Sequence, residues 1–499
     1  MTGSAVRDDV ALVADAGRRA RDAQRVFDSI AVAERARLLT ALADAVERAR
    51  PELVELAIGE SRLPKARLDG EVARAAGQFR LMADLVADGG FLDATIDPAD
   101  STAVPPRPDL RRSHTAIGPV AVYAASNFPF AFGAAGTDTS SALAAGCAVV
   151  VKAHPLQPRT ADASIAVLRQ SLHAQGAPAD LVQVVHGMDA GRELIRCAEI
   201  RAGAFTGSTA GGRALFDLAG GRPDPIPFYG ELGSVNPVLF TPAAVAEHPE
   251  RLAEEFAGSI TFSSGQLCTR PSLLLVPAGP DGERFEQLLA SALAAAAPAP
   301  MLSSVMAENF TAATDALVGH AGVRALVRGA DAGGAPGAVL GTVQAATVLA
   351  DPMPYLHELF GPFALVVRYL DVAQLGALMD ILPGSLTFTL RGTADDPDLT
   401  SEIVAAARRR AGRLLCGGVP TGVSVTRAQM HGGTWPAATS STHSSVGELA
   451  IRRFLRPVAY QDMPQRLLPP ELRDHNPGGV ARRVNGVRST GSLTSAVTA

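Results

Sequence analysis

The chain has 499 residues, a formal net charge of −5, 47% hydrophobic residues and 19% charged residues. This length predicts two or three domains in a globular protein. The charge provides neither a broad basic surface for nucleic acid nor a polyanionic tail for a basic partner. Because the first ten residues contain acids and no apolar segment, no secretory signal is predicted, and we expect a cytoplasmic protein.

The cysteines indicate a reducing compartment. The four of them form no CxxC pair and no zinc-type spacing, so we expect free thiols and no metal site. The four positions are Cys147, Cys197, Cys268 and Cys416.

Residues from about 9 to 88 show apolar residues at three- and four-residue spacing, which predicts helices. Residues 89–113 are rich in Asp and Pro and are typical of a linker or an edge segment. The stretch Thr115–Thr137 has no charged residue and is long enough to cross a bilayer. Gly118-Pro119, Asn127 and Pro129 interrupt it, so it predicts a buried strand, a loop and the start of a helix, and no membrane association.

From residue 119 to residue 240, short apolar runs alternate with helical patterns, which predicts a parallel, doubly wound sheet. A second alternating α/β series follows from about 245 to 415. After Met463 the chain is rich in Pro, Arg and Gly, and the last 30 or so residues are predicted to be a poorly packed tail. The strands predicted in the first series are Val120–Ala124, Ala148–Val151, Leu181–Val185, Gly203–Thr206 and Val235–Phe240.

Three polar residues in these series are candidates for chemistry. Cys268 lies in Gly-Gln-Leu-Cys-Thr, where no apolar period runs through it, so we expect a partly exposed thiol with a lowered pKa. Glu231 lies between Gly230 and Leu232-Gly233 before an apolar strand, and burial there would raise the pKa of a general base. Asn127 follows a strand, where its amide can donate to an oxyanion.

Two further positions indicate a dinucleotide. Lys152 ends a strand at the expected carboxyl edge of the sheet, where open α/β sheets bind ligands. Only two of the 45 basic residues are lysines, which makes this one more informative. Gly207-Ser208 follows another strand and opens a helix, whose backbone N–H groups suit a pyrophosphate, although a plain βα turn is an equal alternative.

Taken together, these motifs resemble the aldehyde dehydrogenase superfamily from about residue 20 to residue 463. The resemblance implies that Cys268 is the nucleophile and Glu231 the base for water, with Asn127 and the Cys268 amide forming the oxyanion hole. It further implies that an NAD(P) cofactor contacts Lys152, Gly207, Ser208, Glu358 and Phe360. The motifs that carry the resemblance are Gly118-Pro119 through Asn127-Phe128-Pro129, Val151-Lys152, Phe205-Thr206-Gly207-Ser208, Glu231-Leu232-Gly233, Gly265-Gln266-Leu267-Cys268-Thr269 and Glu358-Leu359-Phe360-Gly361-Pro362.

The architecture that the resemblance implies is an α/β fold with a dinucleotide-binding doubly wound domain, a catalytic α/β domain and a small oligomerisation sheet, which assembles into a homodimer or homotetramer. The implied boundaries are 1–101 and 119–229 for the NAD(P)-binding domain, 230–435 for the catalytic domain, 102–118 and 445–463 for the oligomerisation segment, and 464–499 for the tail.

A narrower resemblance is to the 2,5-dioxovalerate (alpha-ketoglutarate semialdehyde) dehydrogenase branch of the family. It is carried by Lys152-Ala153-His154-Pro155, by Ile226 to Pro237, by Pro420-Thr421-Gly422-Val423, by Met430-His431-Gly432-Gly433 and by Ala450 to Val458. The implied reaction is oxidation of 2,5-dioxopentanoate to 2-oxoglutarate. A keto-acid substrate needs a cationic partner for its carboxylate, and Arg270 is the candidate.

The cofactor preference depends on the residue three positions after Lys152. NAD-preferring relatives often carry a Glu there, whereas Pro155 can neither bind the ribose 2′-OH nor repel a 2′-phosphate. NADP is therefore favoured, with NAD as a further acceptor.

Three alternatives stay open. A broad-specificity or long-chain (fatty) aldehyde dehydrogenase would use an apolar tunnel lined by Phe128, Phe130 and Phe132. A CoA-acylating dehydrogenase is disfavoured, because Glu231 is present as a hydrolytic base. A non-catalytic scaffold is a remote alternative, because the nucleophile, the base and the oxyanion Asn are all retained.

Overall fold

The computed structural model describes residues 2–393 and 395–493, with side chains from residue 10 onward. The helices are α1 Thr2–Phe27, α2 Val32–Arg48, α3 Arg50–Ser61, α4 Lys65–Asp88, α5 Thr137–Ala145, α6 Pro158–Ala174, α7 Met188–Arg196, α8 Thr209–Gly220, α9 Pro242–Glu247, α10 Pro249–Thr261, α11 Pro280–Ala295, α12 Ser304–Val318, α13 Ala345–Ala350, α14 Val372–Ile381 and α15 Ser401–Arg410. Within the described part of the chain, no helix combines the length and the apolar character that a membrane span requires.

The strands form three sheets. They are β1 Thr95–Asp97, β2 Leu110–Ala116, β3 Val120–Tyr123, β4 Val149–Lys152, β5 Val182–Val185, β6 Ala202–Thr206, β7 Phe228–Glu231, β8 Pro237–Phe240, β9 Leu273–Pro277, β10 Arg324–Arg328, β11 Val339–Gln344, β12 Phe363–Tyr369, β13 Ser385–Arg391, β14 Ala411–Cys416, β15 Leu455–Gln461, β16 Arg482–Val484 and β17 Val487–Ser489.

The first sheet has the order β5-β4-β3-β6-β7, and all of its strands are parallel. The short valine-rich strands β3 and β4 are buried on both faces, as expected for a parallel sheet covered by helices on both sides. The chain runs outward from β3 to β5 and then returns to form β6 beside β3, so a switch point lies between β3 and β6. Open α/β sheets bind ligands at the carboxyl ends of strands at such a point.

The second sheet has the order β10-β11-β12-β9-β8-β13-β14 and is parallel except for β10. Separate hydrophobic clusters cover its two faces. The segments that enter this sheet at its amino edge carry Asn236 before β8, Cys268 before β9 and Glu358 before β12. The two alternating α/β series and the parallel first sheet are therefore confirmed. The assignment of Val235–Phe240 to the first series is wrong, because this segment forms β8 between β9 and β13 of the second sheet.

The third sheet has the order β15-β2-β1-β16-β17. Strand β2 pairs antiparallel with β15, as predicted for the two segments assigned to oligomerisation. Assembly through this sheet stays a prediction, as do the proposed domain boundaries.

The expectation of a poorly packed tail after Met463 is wrong for the described residues up to 493. Strand β16 pairs with β1, and Leu468, Leu472 and Val484 are buried together. Arg482 is 1% exposed, and its guanidinium donates to four backbone carbonyls. An Arg-rich composition predicts a poorly packed segment only if the guanidinium groups stay in water, whereas the guanidinium of Arg482 is bonded inside the fold. The residues of the tail beyond 493 lie outside the described part of the chain.

Candidate active site

The predicted site residues converge where the carboxyl edge of the first sheet faces the amino edge of the second. A cavity of about 440 Å³ opens there. Its lining includes the following predicted site residues, which were drawn from both sheets: Asn127, Gly207, Ser208, Glu231, Cys268, Glu358 and Phe360. Residues far apart in the chain thus reach one cavity, whereas Lys152 does not line it, and the roles of these residues stay predictions.

Cys268 lies in the segment between a 3₁₀ turn and β9. It is partly exposed because it lines the cavity. Burial of the thiol raises its pKa well above its ordinary value, Glu231 and Glu358 raise the pKa further, and Arg74 lowers it. The prediction of a lowered pKa is therefore wrong for this structure, because the thiol is buried and two carboxylates face the sulfur.

Asn236 holds the backbone of the nucleophile segment from behind. It is fully buried, and its amide nitrogen donates to the carbonyls of Cys268 at 2.8 Å and of Arg270 at 2.9 Å. Its side-chain oxygen accepts from Ser234 Oγ at 2.8 Å. The main chain at Cys268 is thus fixed to the segment that precedes β8, whereas its sulfur faces the cavity.

Glu231 is the last residue of β7 and is 5% exposed. Its Oε1 lies 2.9 Å from His431 Nε2, and its Oε2 accepts a hydrogen bond from Ser445 Oγ. Burial by itself would raise the pKa of Glu231, but the adjacent His431 and the hydrogen bonds lower it below its ordinary value. The prediction that burial raises the pKa of Glu231 is wrong, because His431, which is distant in sequence, lies beside the carboxylate.

His431 is the residue that sequence reasoning missed. It is 1% exposed, and its Nε2 also lies 3.6 Å from Cys268 Sγ. The ligand atoms of Glu231, Cys268 and His431 lie within 4.8 Å of one another, a spacing that would also suit a metal ion. The signal available in the sequence was the motif Met430-His431-Gly432-Gly433, in which the His is followed by two glycines.

Asn127 lies in the loop between β3 and α5. Its amide nitrogen is 3.1 Å from the carbonyl of Gln266, two residues before the nucleophile. Arg67 on α4 donates to the Asn127 carbonyl and so holds this loop. The amide therefore borders the cavity next to Cys268, where an oxyanion would form.

Glu358 and Phe360 lie in the segment before β12 and line the cavity. Burial raises the pKa of Glu358 to about 7, and Arg270 opposes that shift. Gly233 lies opposite this segment and leaves room for the Glu358 side chain. A Cβ at position 233 would lie 2.7 Å from Glu358 Oε2. Gly265, at a φ of +63°, likewise leaves room for the carbonyl of Gly361.

Arg270 does not face the cavity. It is 2% exposed, and its guanidinium donates to the backbone carbonyls of Leu359 and Phe363. The prediction that it binds a substrate carboxylate is wrong, because the side chain is buried outside the cavity and its Nη1 and Nη2 anchor the segment that carries Glu358.

Of the remaining predicted residues, Lys152 is 7% exposed at the end of β4, and Phe128 is half-buried. Neither belongs to the cavity lining. Nζ of Lys152 lies 3.8 Å from Met188 Sδ, which is a weak partner for an ammonium group. Burial lowers the pKa of Lys152.

Comparison with known proteins identifies the class that this fold and site define. The family model "Aldehyde dehydrogenase family" matches residues 2–425, and the chain belongs to that family. It is an oxidoreductase that oxidises aldehydes with NAD(P).

Two curated relatives are similar over most of their length. The chain is 43% identical to alpha-ketoglutaric semialdehyde dehydrogenase 2 of Azospirillum brasilense over 94% of this chain and 90% of the relative. It is 39% identical to alpha-ketoglutaric semialdehyde dehydrogenase of Acinetobacter baylyi over 91% of this chain and 87% of the relative.

Solved structures support the fold. PnpE in complex with nicotinamide adenine dinucleotide matches with a TM-score of 0.76 at 22% identity, over 92% of this chain and 91% of that one. Glyceraldehyde-3-phosphate dehydrogenase GapN of Methanocaldococcus jannaschii, complexed with NADP, matches with a TM-score of 0.76 at 16% identity, over 90% of this chain and 94% of that one.

The residues of the cavity fit a dinucleotide. Ser208 caps the N-terminus of α8 by accepting from Gly211 N, so the first N–H groups of that helix are available to an anion. The hydroxyl of Thr206, which also lines the cavity, is buried and has no hydrogen-bond partner within the described ranges. An unpaired buried donor beside a helix N-terminus is consistent with a missing polar ligand.

Proposed function

We propose that the protein oxidises 2,5-dioxopentanoate to 2-oxoglutarate by covalent catalysis on Cys268. The observation that carries the chemistry is the group of Cys268, His431 and Glu231, in which one imidazole nitrogen lies 3.6 Å from the thiol and 2.9 Å from the carboxylate. The substrate rests on similarity to two relatives that are named for alpha-ketoglutaric semialdehyde.

In the first half-reaction Cys268 Sγ bonds to the aldehyde carbon, and the thiol proton passes to His431 Nε2. Glu231 stabilises the resulting imidazolium, as a carboxylate does beside a catalytic His. The substrate oxygen becomes an oxyanion, which the amides of Asn127 and of the Cys268 backbone stabilise. NAD(P), when bound, supplies the hydride acceptor, and the acyl group is left on Cys268 as a thioester.

In the second half-reaction Glu231 takes a proton from water, whose oxygen attacks the thioester carbon. The carbon–sulfur bond breaks, His431 returns its proton to the sulfur and the product leaves as a carboxylate. The two protons of the water pass to solvent, one of them by way of Glu231. Ser445, which donates to Glu231, holds the carboxylate in position for this step. A positioned base contributes roughly 10²–10⁴-fold to such a step.

Lys152, Gly207, Ser208, Glu358 and Phe360 would hold the cofactor. The N-terminus of α8 suits the pyrophosphate, and Glu358 suits a ribose hydroxyl. NADP is favoured, because the exposed Pro155 beyond Lys152 brings no carboxylate against a 2′-phosphate. Assembly into a homodimer or homotetramer is proposed through the sheet that contains β2 and β15.

A second candidate is oxidation of long-chain aldehydes. It is favoured by an apolar cluster of Phe132, Ala125, Ala131 and Val446, against which Phe128, Val423 and Val425 pack. The test is a panel of 2,5-dioxopentanoate, succinic semialdehyde and decanal with NADP and with NAD. We expect the highest kcat/KM for 2,5-dioxopentanoate with NADP, and a higher value for decanal would contradict the proposed substrate.

A further inference from the structure

A keto-acid substrate brings a carboxylate close to the nucleophile, and that carboxylate needs a cation. Two arginines have charges that interact with Cys268, Arg74 and Arg413. Arg413 donates to the carbonyls of Pro420 and Gly422. Arg74 differs, because its Nε and Nη2 are shielded from solvent and have no hydrogen-bond partner within the described residues.

Arg74 belongs to the face of α4 that borders the loop between β3 and α5. This loop carries Asn127 and is called the oxyanion loop below. Arg67, two turns earlier, donates to the carbonyl of Asn127, and Glu71 accepts from Phe130 N and from Arg67. Glu71 is thereby occupied by partners other than Arg74. The guanidinium of Arg74 is left without an ion-pair partner among the described residues, next to two side chains of α4, Arg67 and Glu71, that bond to this loop.

Two aromatic rings lie against the guanidinium of Arg74. Its guanidinium carbon lies 5.6 Å from the ring centre of Phe128 and 5.4 Å from that of Phe132. The ring of Phe132 is in turn 5.7 Å from the ring of His431, which lies 3.6 Å from Cys268 Sγ. Arg74 as a whole is half-buried, as is Phe128, so this group of side chains lies partly at the surface.

This position lies away from the cofactor. Arg74, Phe128 and Phe132 are absent from the lining of the cavity that Glu358 and Phe360 share with Cys268. Because the cofactor takes that cavity, the chain of an aldehyde bonded to Cys268 must extend toward the other side of the sulfur.

We propose that Arg74 binds the carboxylate end of the substrate, with Nε and Nη2 donating to its two oxygens. These two nitrogens form the edge of a guanidinium that pairs with a carboxylate in a bidentate way. In 2,5-dioxopentanoate the carboxylate carbon is four bonds from the aldehyde carbon. The assignment rests on the proposed substrate, and it gives Arg74 the role that Arg270 cannot fill.

The first test compares wild type, Arg74→Met, Arg74→Lys and the control Arg80→Met with 2,5-dioxopentanoate and with pentanal. Arg80 is exposed on the same helix and pairs with Asp44. For Arg74→Met we expect kcat/KM on the keto acid to fall roughly 10- to 150-fold, as for loss of a hydrogen bond to a charged group. The kcat/KM of Arg74→Met on pentanal should fall less than about threefold.

An equal fall on both substrates would overturn the proposal, because Arg74 would then act only through the charge of Cys268. An unchanged kcat/KM on the keto acid would also overturn it. Arg74→Lys keeps the charge but not the bidentate edge, so it should lie between wild type and Arg74→Met on the keto acid alone. This variant separates recognition from a folding defect.

The second test does not require turnover. It measures alkylation of Cys268 by N-iodoacetylglycine, whose carboxylate is four bonds from its reactive carbon, and by uncharged N-ethyl iodoacetamide. The measured quantity is the rate with the charged reagent divided by the rate with the neutral reagent. Wild type should give a ratio above one, and in Arg74→Met this ratio should be at least about tenfold lower. An unchanged ratio would overturn the Arg74 assignment. A preserved effect together with no oxidation of 2,5-dioxopentanoate would instead refute only the proposed substrate.

Discussion

His431 Nε2 lies 2.9 Å from Glu231 Oε1, and both side chains are almost inaccessible to solvent. The same imidazole nitrogen lies 3.6 Å from Cys268 Sγ, so the ring stands between the thiol and the carboxylate. In the proposed mechanism Glu231 serves both half-reactions, first as the counter-ion of the imidazolium and then as the base for water.

Replacing His431 by Gln tests this relationship. We expect kcat/KM to fall roughly 10²–10⁴-fold, the range for loss of a general base. The rate of Cys268 alkylation by iodoacetamide at neutral pH should fall with it. His443→Gln is the control, because the His443 ring is hydrogen-bonded to Ser440 and Thr442 rather than to Cys268. A similar loss in both variants would contradict the assignment.

The pH dependence of alkylation follows from the charges around the sulfur. The pKa of Cys268 is raised by burial, Glu231 and Glu358, so the thiolate forms only at high pH in the cofactor-free protein. The iodoacetamide rate should still be rising above pH 9. Glu231→Gln removes one negative charge, which lowers the pKa of the thiol and moves the rise to lower pH. A rate that levels off below pH 8 in wild type would contradict this prediction.

Replacing Arg270 by Met should destabilise the protein. It leaves the buried carbonyls of Leu359 and Phe363 without donors, at about 1–3 kcal/mol each. We expect a lower urea midpoint and an equal loss of kcat/KM on carboxylated and neutral aldehydes. The control Arg80→Met should keep the wild-type midpoint. A selective loss on carboxylated aldehydes would restore the original substrate-binding prediction.

Replacing Pro155 by Glu tests the cofactor preference. The new carboxylate would lie three residues beyond Lys152, where it could accept from the ribose 2′-OH and repel a 2′-phosphate. We expect the ratio of kcat/KM for NADP to that for NAD to fall at least about tenfold. Pro155→Gln, which adds length without charge, should change the ratio much less. A wild-type enzyme with a strong NAD preference would contradict the starting point.

The sequence predicted the parts of the molecule that depend on local pattern. Valine-rich runs such as β4 and the helical spacing between them are local, and the carboxyl-edge rule then brought Asn127 and Ser208 to one cavity. Motif order identified Cys268 and Glu231 without any knowledge of their contacts.

Side-chain direction and long-range pairing could not be predicted in this way. Arg270 follows the nucleophile by two positions, yet its guanidinium points to the segment before β12. The pKa of Glu231 depends on His431, which is far from it in the chain and lies beside it only in the folded structure. Arg482 looked like part of a solvated tail, but its Nη1 and Nη2 donate to four carbonyls that the folded C-terminal segment brings together.

The amide of Asn236 ties the nucleophile segment to the stretch of chain that also carries the base. The two catalytic groups are therefore parts of one mechanical unit. A nucleophile loop transplanted from a relative would keep its register here only if position 236 kept an Asn. Engineering of this enzyme for other aldehydes is best directed at the walls formed by α4 and the oxyanion loop, where substitutions leave that unit intact.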